Sequence, residues 1–185
     1  MEYVALVGAC YIDTILESVS LSSQTLLLEP PSNPSIIHRT PHFPEEDSKL
    51  RATSFVRRRG GNTPNSAEIL SQYATRDAFK ETDGVKPFLW KPLLISALPE
   101  AGCPDNESIR TSLGDGVVLD CCLERKGRTM APASYIIRSQ ETGSRTIVNY
   151  SEVEEMSLDE FKGVWEAVGW NVRWWHFEVC FEDDS

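Results

Sequence analysis

No Cys-x-x-Cys pair occurs in this sequence, and its five cysteines, Cys10, Cys103, Cys121, Cys122 and Cys180, are odd in number. Cys121 and Cys122 are adjacent, so on a strand they point to opposite faces. A disulfide framework and a structural zinc site are both disfavoured. Reduced thiols in a cytoplasmic protein are the expectation. Positive charge is scarce as well: 18 Lys and Arg face 28 Asp and Glu, a net charge of −10. This weighs against nucleic acid, whose binding needs basic groups that displace counterions, and against an anionic membrane surface. No apolar stretch is long enough to span a bilayer, and Met1-Glu2-Tyr3 lacks the basic start of a signal peptide. Repeats and heptads are absent. So are G-x-x-x-x-G-K-[S/T] and G-x-G-x-x-G, which weakens a dinucleotide oxidoreductase reading.

What is present fits one folded domain. Hydrophobic residues make up 41% and charged residues 25%, so the chain is not a disordered polyelectrolyte. Tyr3–Gly8 is a short apolar run suited to a buried strand, and Ala9–Ile15 continues from it and carries Asp13. Residues 18–44 are rich in Ser and Pro and read as an insertion or linker. Asp47–Arg59 alternates partially, as one or two exposed strands, and Arg57-Arg58-Arg59 reads as a solvated edge. A helix follows Gly60-Gly61, with Pro64 at its first position and Ala67, Ile69, Leu70, Tyr73 and Ala74 on its apolar face. It ends before Asp83-Gly84.

Further on, Phe88–Leu98 is a second buried strand, Asp105–Leu113 a short helix and Val117–Glu124 a strand. Ser134–Arg138 and Thr146–Tyr150 form a hairpin about a turn at 140–144. Ser157-Leu158-Asp159-Glu160 is a capping box. It opens a helix to Val168 that turns Leu158, Phe161, Val164 and Trp165 inward, and Val172–Val179 is a last strand. Alternating strands and helices predict an α/β fold with a mostly parallel sheet.

The most specific local feature is Gly60-Gly61-Asn62-Thr63-Pro64-Asn65-Ser66-Ala67. Two glycines let the backbone approach a ligand closely, and a helix N-terminus turns unpaired N–H groups toward it. Asn62 and Asn65 can each donate and accept, as recognition of hydroxyls requires. A Gly-rich strand-to-helix turn with Asn caps remains the structural alternative. Asp13 is equally open to reading as a cap, and Arg145 as a hairpin surface charge.

The motif R-G-G-N-x-x-N-S, preceded by E-D-S-K-L-R, resembles the first signature of PfkB/ribokinase carbohydrate kinases, closest to the ketohexokinases. V-A-L-V-G-A-C-Y-I-D-T-I resembles their opening strand and substrate-binding aspartate. E-E-D-S-K-L-R-A-T-S-F-V-R-R-R is similar to their lid strands, G-S-R-T-I-V to the strand with an arginine near the nucleotide phosphates, and R-W-W-H-F-E to the strand after the next helix. The resemblance implies a Rossmann-like ribokinase fold with a small β-lid (strands about 46–59 and 134–150) over residues 1–179, followed by a non-family tail at 180–185.

It also implies ATP-dependent phosphorylation of a ketose such as fructose, with Mg-ATP as cofactor. Asp13, Gly61, Asn62 and Asn65 would bind the sugar, Arg145 would approach the phosphates, and a homodimer could form through the lid. The family's catalytic aspartate lies in a later G-A-G-D motif, which these 185 residues do not contain. The expectation is therefore the N-terminal part of the fold, inactive by itself, with an exposed sheet edge. The alternative is a non-catalytic sugar-binding or dimerisation fragment.

Overall fold

The computed structural model describes residues 2–17, 47, 54–75, 90–138 and 144–178. The expected insertion at 18–44, residues 48–53 of the expected exposed strands, Asp83-Gly84 and the tail at 180–185 lie outside them. The chain forms two compact units: one of residues 1–12, 59–132 and 151–185, the other of residues 13–58 and 133–150.

The first unit is built on a parallel sheet in which β1 (Glu2–Val7) lies between β4 (Trp90–Ile95) and β9 (Val172–Phe177). In register, Ala5 stands beside Leu93 and Trp175, and Leu6 beside Leu94 and His176. Successive side chains point to opposite faces, so β1 and β4 feed two cores. Leu6 and Leu94 pack with Ala67 of α1 (Asn62–Thr75) and with Ile109 and Leu113 of α2 (Pro104–Leu113). Ala5, Leu93 and Ile95 pack on the other side with Val164 and Val168 of α3 (Leu158–Val168). Helices on both faces explain why β1 and β4 read as continuous apolar runs rather than alternating ones. Each fully buried Leu contributes about 1.5–3 kcal/mol to this packing.

The helix ends are satisfied as their sequences dictate. Ser157 accepts from the Glu160 N–H at 3.3 Å, and Glu160 accepts in return from the Ser157 N–H at 2.8 Å, which completes the expected capping box. Arg125 of the short strand β6 (Leu123–Arg125) secures this end, donating to Glu160 at 2.5 and 3.0 Å and to the Glu154 and Glu155 carbonyls. β6 pairs in parallel with β5 (Ala97–Pro99). Buried Asp105, near the start of α2, accepts from the Ala131 N–H at 2.9 Å.

The second sheet has the order β3-β2-β7-β8, with β2 at Tyr11–Glu17, β3 at Ser54–Gly60, β7 at Ala133–Arg138 and β8 at Arg145–Tyr150. β7 and β8 form the expected antiparallel hairpin. The strands β2 and β3 each begin or end in the first unit and otherwise belong to the second.

Several expectations are corrected. The opening strand does not run on to Ile15: β1 ends at Val7, and Asp13 sits on a separate strand in the other sheet. Gly8 marks the break, where an added Cβ would meet the Thr63 side chain. Val117–Glu124 is not one strand, but an isolated bridge from Val118 to Leu93 followed by β6. Pro64 is the third residue of α1, which begins at Asn62. Ile69, Tyr73, Leu158 and Trp165 are exposed rather than inward. Trp165 still stacks on Trp175 at 4.7 Å, in an aromatic cluster with Phe161 and Phe177. β9 is the sheet's outer strand among the described residues, and Trp174 on it is 67% exposed.

Candidate functional site

The Gly60-Gly61-Asn62 sequence carries the chain from β3 into α1. Gly61 has φ +95, a conformation that L side chains rarely adopt, and an added Cβ would lie 2.7 Å from the Ala9 carbonyl oxygen. This close approach brings the start of α1 against the segment after β1. Asn62 and Asn65 are both exposed there, and their i, i+3 spacing puts them on one face of the helix. Thr63 between them is fully buried, and its hydroxyl has no hydrogen-bond partner among the described residues.

Both asparagines are held. The Asn62 Nδ2 donates to Glu178 Oε1 at 2.6 Å. Glu178 lies just past β9, where its backbone N–H donates to the Val7 carbonyl at 2.9 Å and its Oε2 stands 3.4 Å from His176 Nε2. Asn65 Oδ1 accepts from Arg59 Nη1 at 2.8 Å. Arg59 is therefore no solvated edge residue: its side chain is 6% exposed, it pairs with Glu68 of α1, and its Nε donates to Ser112 Oγ of α2 at 2.9 Å. Arg57 and Arg58 are exposed, as the edge reading expects.

The sequence reading did not include Arg59 or Glu178 among the site residues. Glu178 had a signal, a carboxylate closing an apolar strand, where burial is costly without a partner. Asp13 and Arg145 lie in the second unit. Asp13, on β2, has its side chain 15% exposed, with Oδ2 4.0 Å from Arg58 Nε. Arg145 is exposed at the start of β8 and stands opposite Arg138 in the hairpin register.

A hollow of about 350 Å³ opens beside α1, lined by Val4, Leu6, Ser66, Ile69, Leu70, Trp174 and His176. Its walls are mostly apolar, which does not suit hydroxyl recognition, so the asparagine pair and not the hollow is the polar candidate. Among the described residues no group of three or more His, Cys, Asp or Glu could hold a metal ion, and no helix is long and apolar enough to cross a membrane.

No family model matches the chain. A ketohexokinase from Mus musculus is 28% identical over 144 residues, covering 77% of this chain and 42% of that protein. A 2-dehydro-3-deoxygluconokinase structure from Thermotoga maritima matches 95% of the chain and 40% of its own length, with TM-score 0.57 at 16% identity. The Arabidopsis thaliana ribokinase complexed with ribose and ATP matches 87% of the chain and 41% of its own, with TM-score 0.51 at 16% identity. The chain is similar in sequence to a ketohexokinase and has the ribokinase fold. It spans about two fifths of the length of these relatives. At such low identity the structural matches speak for the α/β fold alone. The sequence match runs alongside them, over three quarters of the chain.

Proposed function

We propose that this chain provides the sugar-binding part of an ATP-dependent carbohydrate kinase acting on a ketose such as fructose. The observation that carries the reading is the Gly61 turn, which presents Asn62 and Asn65 on one exposed face at the start of α1 in a chain similar in sequence to a ketohexokinase. Asp13 would accept from sugar hydroxyls, and Gly61, Asn62 and Asn65 would contact the sugar from the helix start. Arg145 would approach the ATP phosphates, where a permanent charge and forked donors suit the task. Mg²⁺ would arrive with the nucleotide, held largely by phosphate oxygens and water, so it needs no dedicated cage of protein ligands.

Phosphoryl transfer also needs a base for the attacking hydroxyl and charge stabilisation at the moving phosphoryl group. These 185 residues hold no G-A-G-D sequence to supply them. The chain by itself therefore binds sugar without turnover. Isothermal titration of fructose, then of Mg-ATP, into the purified chain tests this. Sugar binding that disappears in Asp13→Ala supports the reading, and fructose phosphorylation by the isolated chain overturns the expected lack of turnover.

A second reading, dimerisation through the lid, is favoured by one observation. The hairpin edge strand β8 is exposed along its whole length and includes Ile147, Val148 and Tyr150. Sedimentation equilibrium of the purified chain, with Val148→Lys as the disrupting variant, distinguishes a dimer from a monomer.

A further inference from the structure

Each asparagine at the head of α1 is held by a neighbour that can hydrogen-bond in one sense only. A guanidinium donates and never accepts, so Asn65 must turn its Oδ1 toward Arg59. An ionised carboxylate accepts and never donates, so Asn62 must turn its Nδ2 toward Glu178. These orientations follow from the partners' chemistry and do not depend on telling amide oxygen from nitrogen by eye. Outward, Asn65 is left with N–H donors and Asn62 with a carbonyl acceptor. Arg59 has little freedom to release its partner. Its side chain is nearly buried, and it is tied at the same time to Glu68 and Ser112.

We infer that Arg59 and Glu178 are positioning residues that fix the hydrogen-bond polarity of the site. Asn62 meets a ligand hydroxyl as acceptor, and Asn65 meets a ligand oxygen as donor. This rests on the sugar-site reading above. The ligand class that fits is a polyol or cyclic sugar presenting a hydroxyl donor beside an ether or hydroxyl oxygen. An ammonium group cannot satisfy Asn65, and a carboxylate cannot satisfy Asn62, whose neighbour Glu178 would also repel it. Sugar acids and amino sugars carrying those groups at the contacted positions are thereby rejected.

The test has two arms on the purified 185-residue chain. The first needs no ligand: the side-chain amide resonances of Asn65 are followed by NMR in wild type and in Arg59→Met. A fixed Asn65 gives two well-separated, slowly exchanging NH₂ signals, which move to the positions of a free amide in Arg59→Met. Should Arg59→Met fail to fold, Ser112→Ala loosens Arg59 without touching Asn65 and is expected to give the same change in smaller measure. In the second arm, fructose is titrated into Asn65→Asp, which keeps an acceptor for Arg59 but offers none of the donors to the sugar. At least a tenfold loss of affinity is expected, with the Arg59 contact retained. Unchanged Asn65 signals on loosening Arg59, or unchanged affinity in Asn65→Asp, overturns the inference. A wild-type chain that binds no fructose while the Asn65 amide is fixed supports the lock and overturns the sugar reading alone.

Discussion

Replacing Gly61 by alanine separates the two reasons for a glycine at this turn. Gly61 and Gly102 both have positive φ, +95 and +77. An L residue held in that region costs about 1–2 kcal/mol. At Gly102 nothing lies within 4 Å of an added Cβ, so Gly102→Ala incurs that strain alone. At Gly61 the new Cβ would be 2.7 Å from the Ala9 carbonyl oxygen and 3.2 Å from the Pro64 ring, and the nearest atom is backbone, which cannot swing away. Overpacking of this kind adds about 1–3 kcal/mol. For a chain of this size each kcal/mol lowers the melting temperature by about 2–4 °C. Gly102→Ala should therefore melt about 2–8 °C below wild type, and Gly61→Ala about 4–20 °C below it. Circular dichroism melts of the three proteins, run side by side, measure the difference. Equal losses for the two variants would refute the close approach of the turn to Ala9, and with it the argument that this contact places Asn62.

Other expectations follow from the packing and the charges. Arg125 and Ser157 hold the Glu160 carboxyl down at about 2, and Arg128 holds Glu154 there, both from an ordinary 4.5. Folded values below unfolded ones give stability that is whole above about pH 4.5 and lost as the pH falls toward 2. Glu160→Gln should flatten the acid limb of a urea stability profile between those values, and high salt should shrink the difference, because the pair is near the surface. Asp105→Ala leaves the buried Ala131 N–H without its acceptor and should cost about 1–3 kcal/mol by urea unfolding. Burial pushes the Cys122 thiol up to about 12, so alkylation at pH 8 followed by peptide mapping should find Cys122 protected in the folded chain and labelled in urea. Trp174→Lys should lower light scattering on concentration, because Trp174 is exposed on the outer strand of the parallel sheet.

What the sequence revealed and what it hid divide along sequence distance. The buried strands were legible because β1 and β4, covered by helices on both faces, must be apolar at nearly every position. The capping box was legible because every participating atom lies within a few residues, and the Gly61 turn because its glycines and asparagines stand together in the sequence, although the Ala9 carbonyl it approaches lies 52 residues away. The break after β1 was not. A β-compatible run continues through Tyr11–Ile15, and the strand stops at Gly8, where an added Cβ would meet the side chains of Thr63, 55 positions away, and Glu178, 170 positions away.

Arg59 was misjudged for the same reason. Within its triplet it is indistinguishable from Arg57 and Arg58, and its burial is decided by Glu68 and Ser112, the latter 53 residues off. Glu178 reaches Asn62 across 116 residues. The G-G-N-x-x-N motif therefore names two amides that can each donate or accept, which leaves the ligand's hydrogen-bond pattern undetermined. It is the distant partners, one able only to donate and the other only to accept, that turn two versatile side chains into a directed pair. Specificity at such a site resides as much in Arg59 and Glu178 as in the motif.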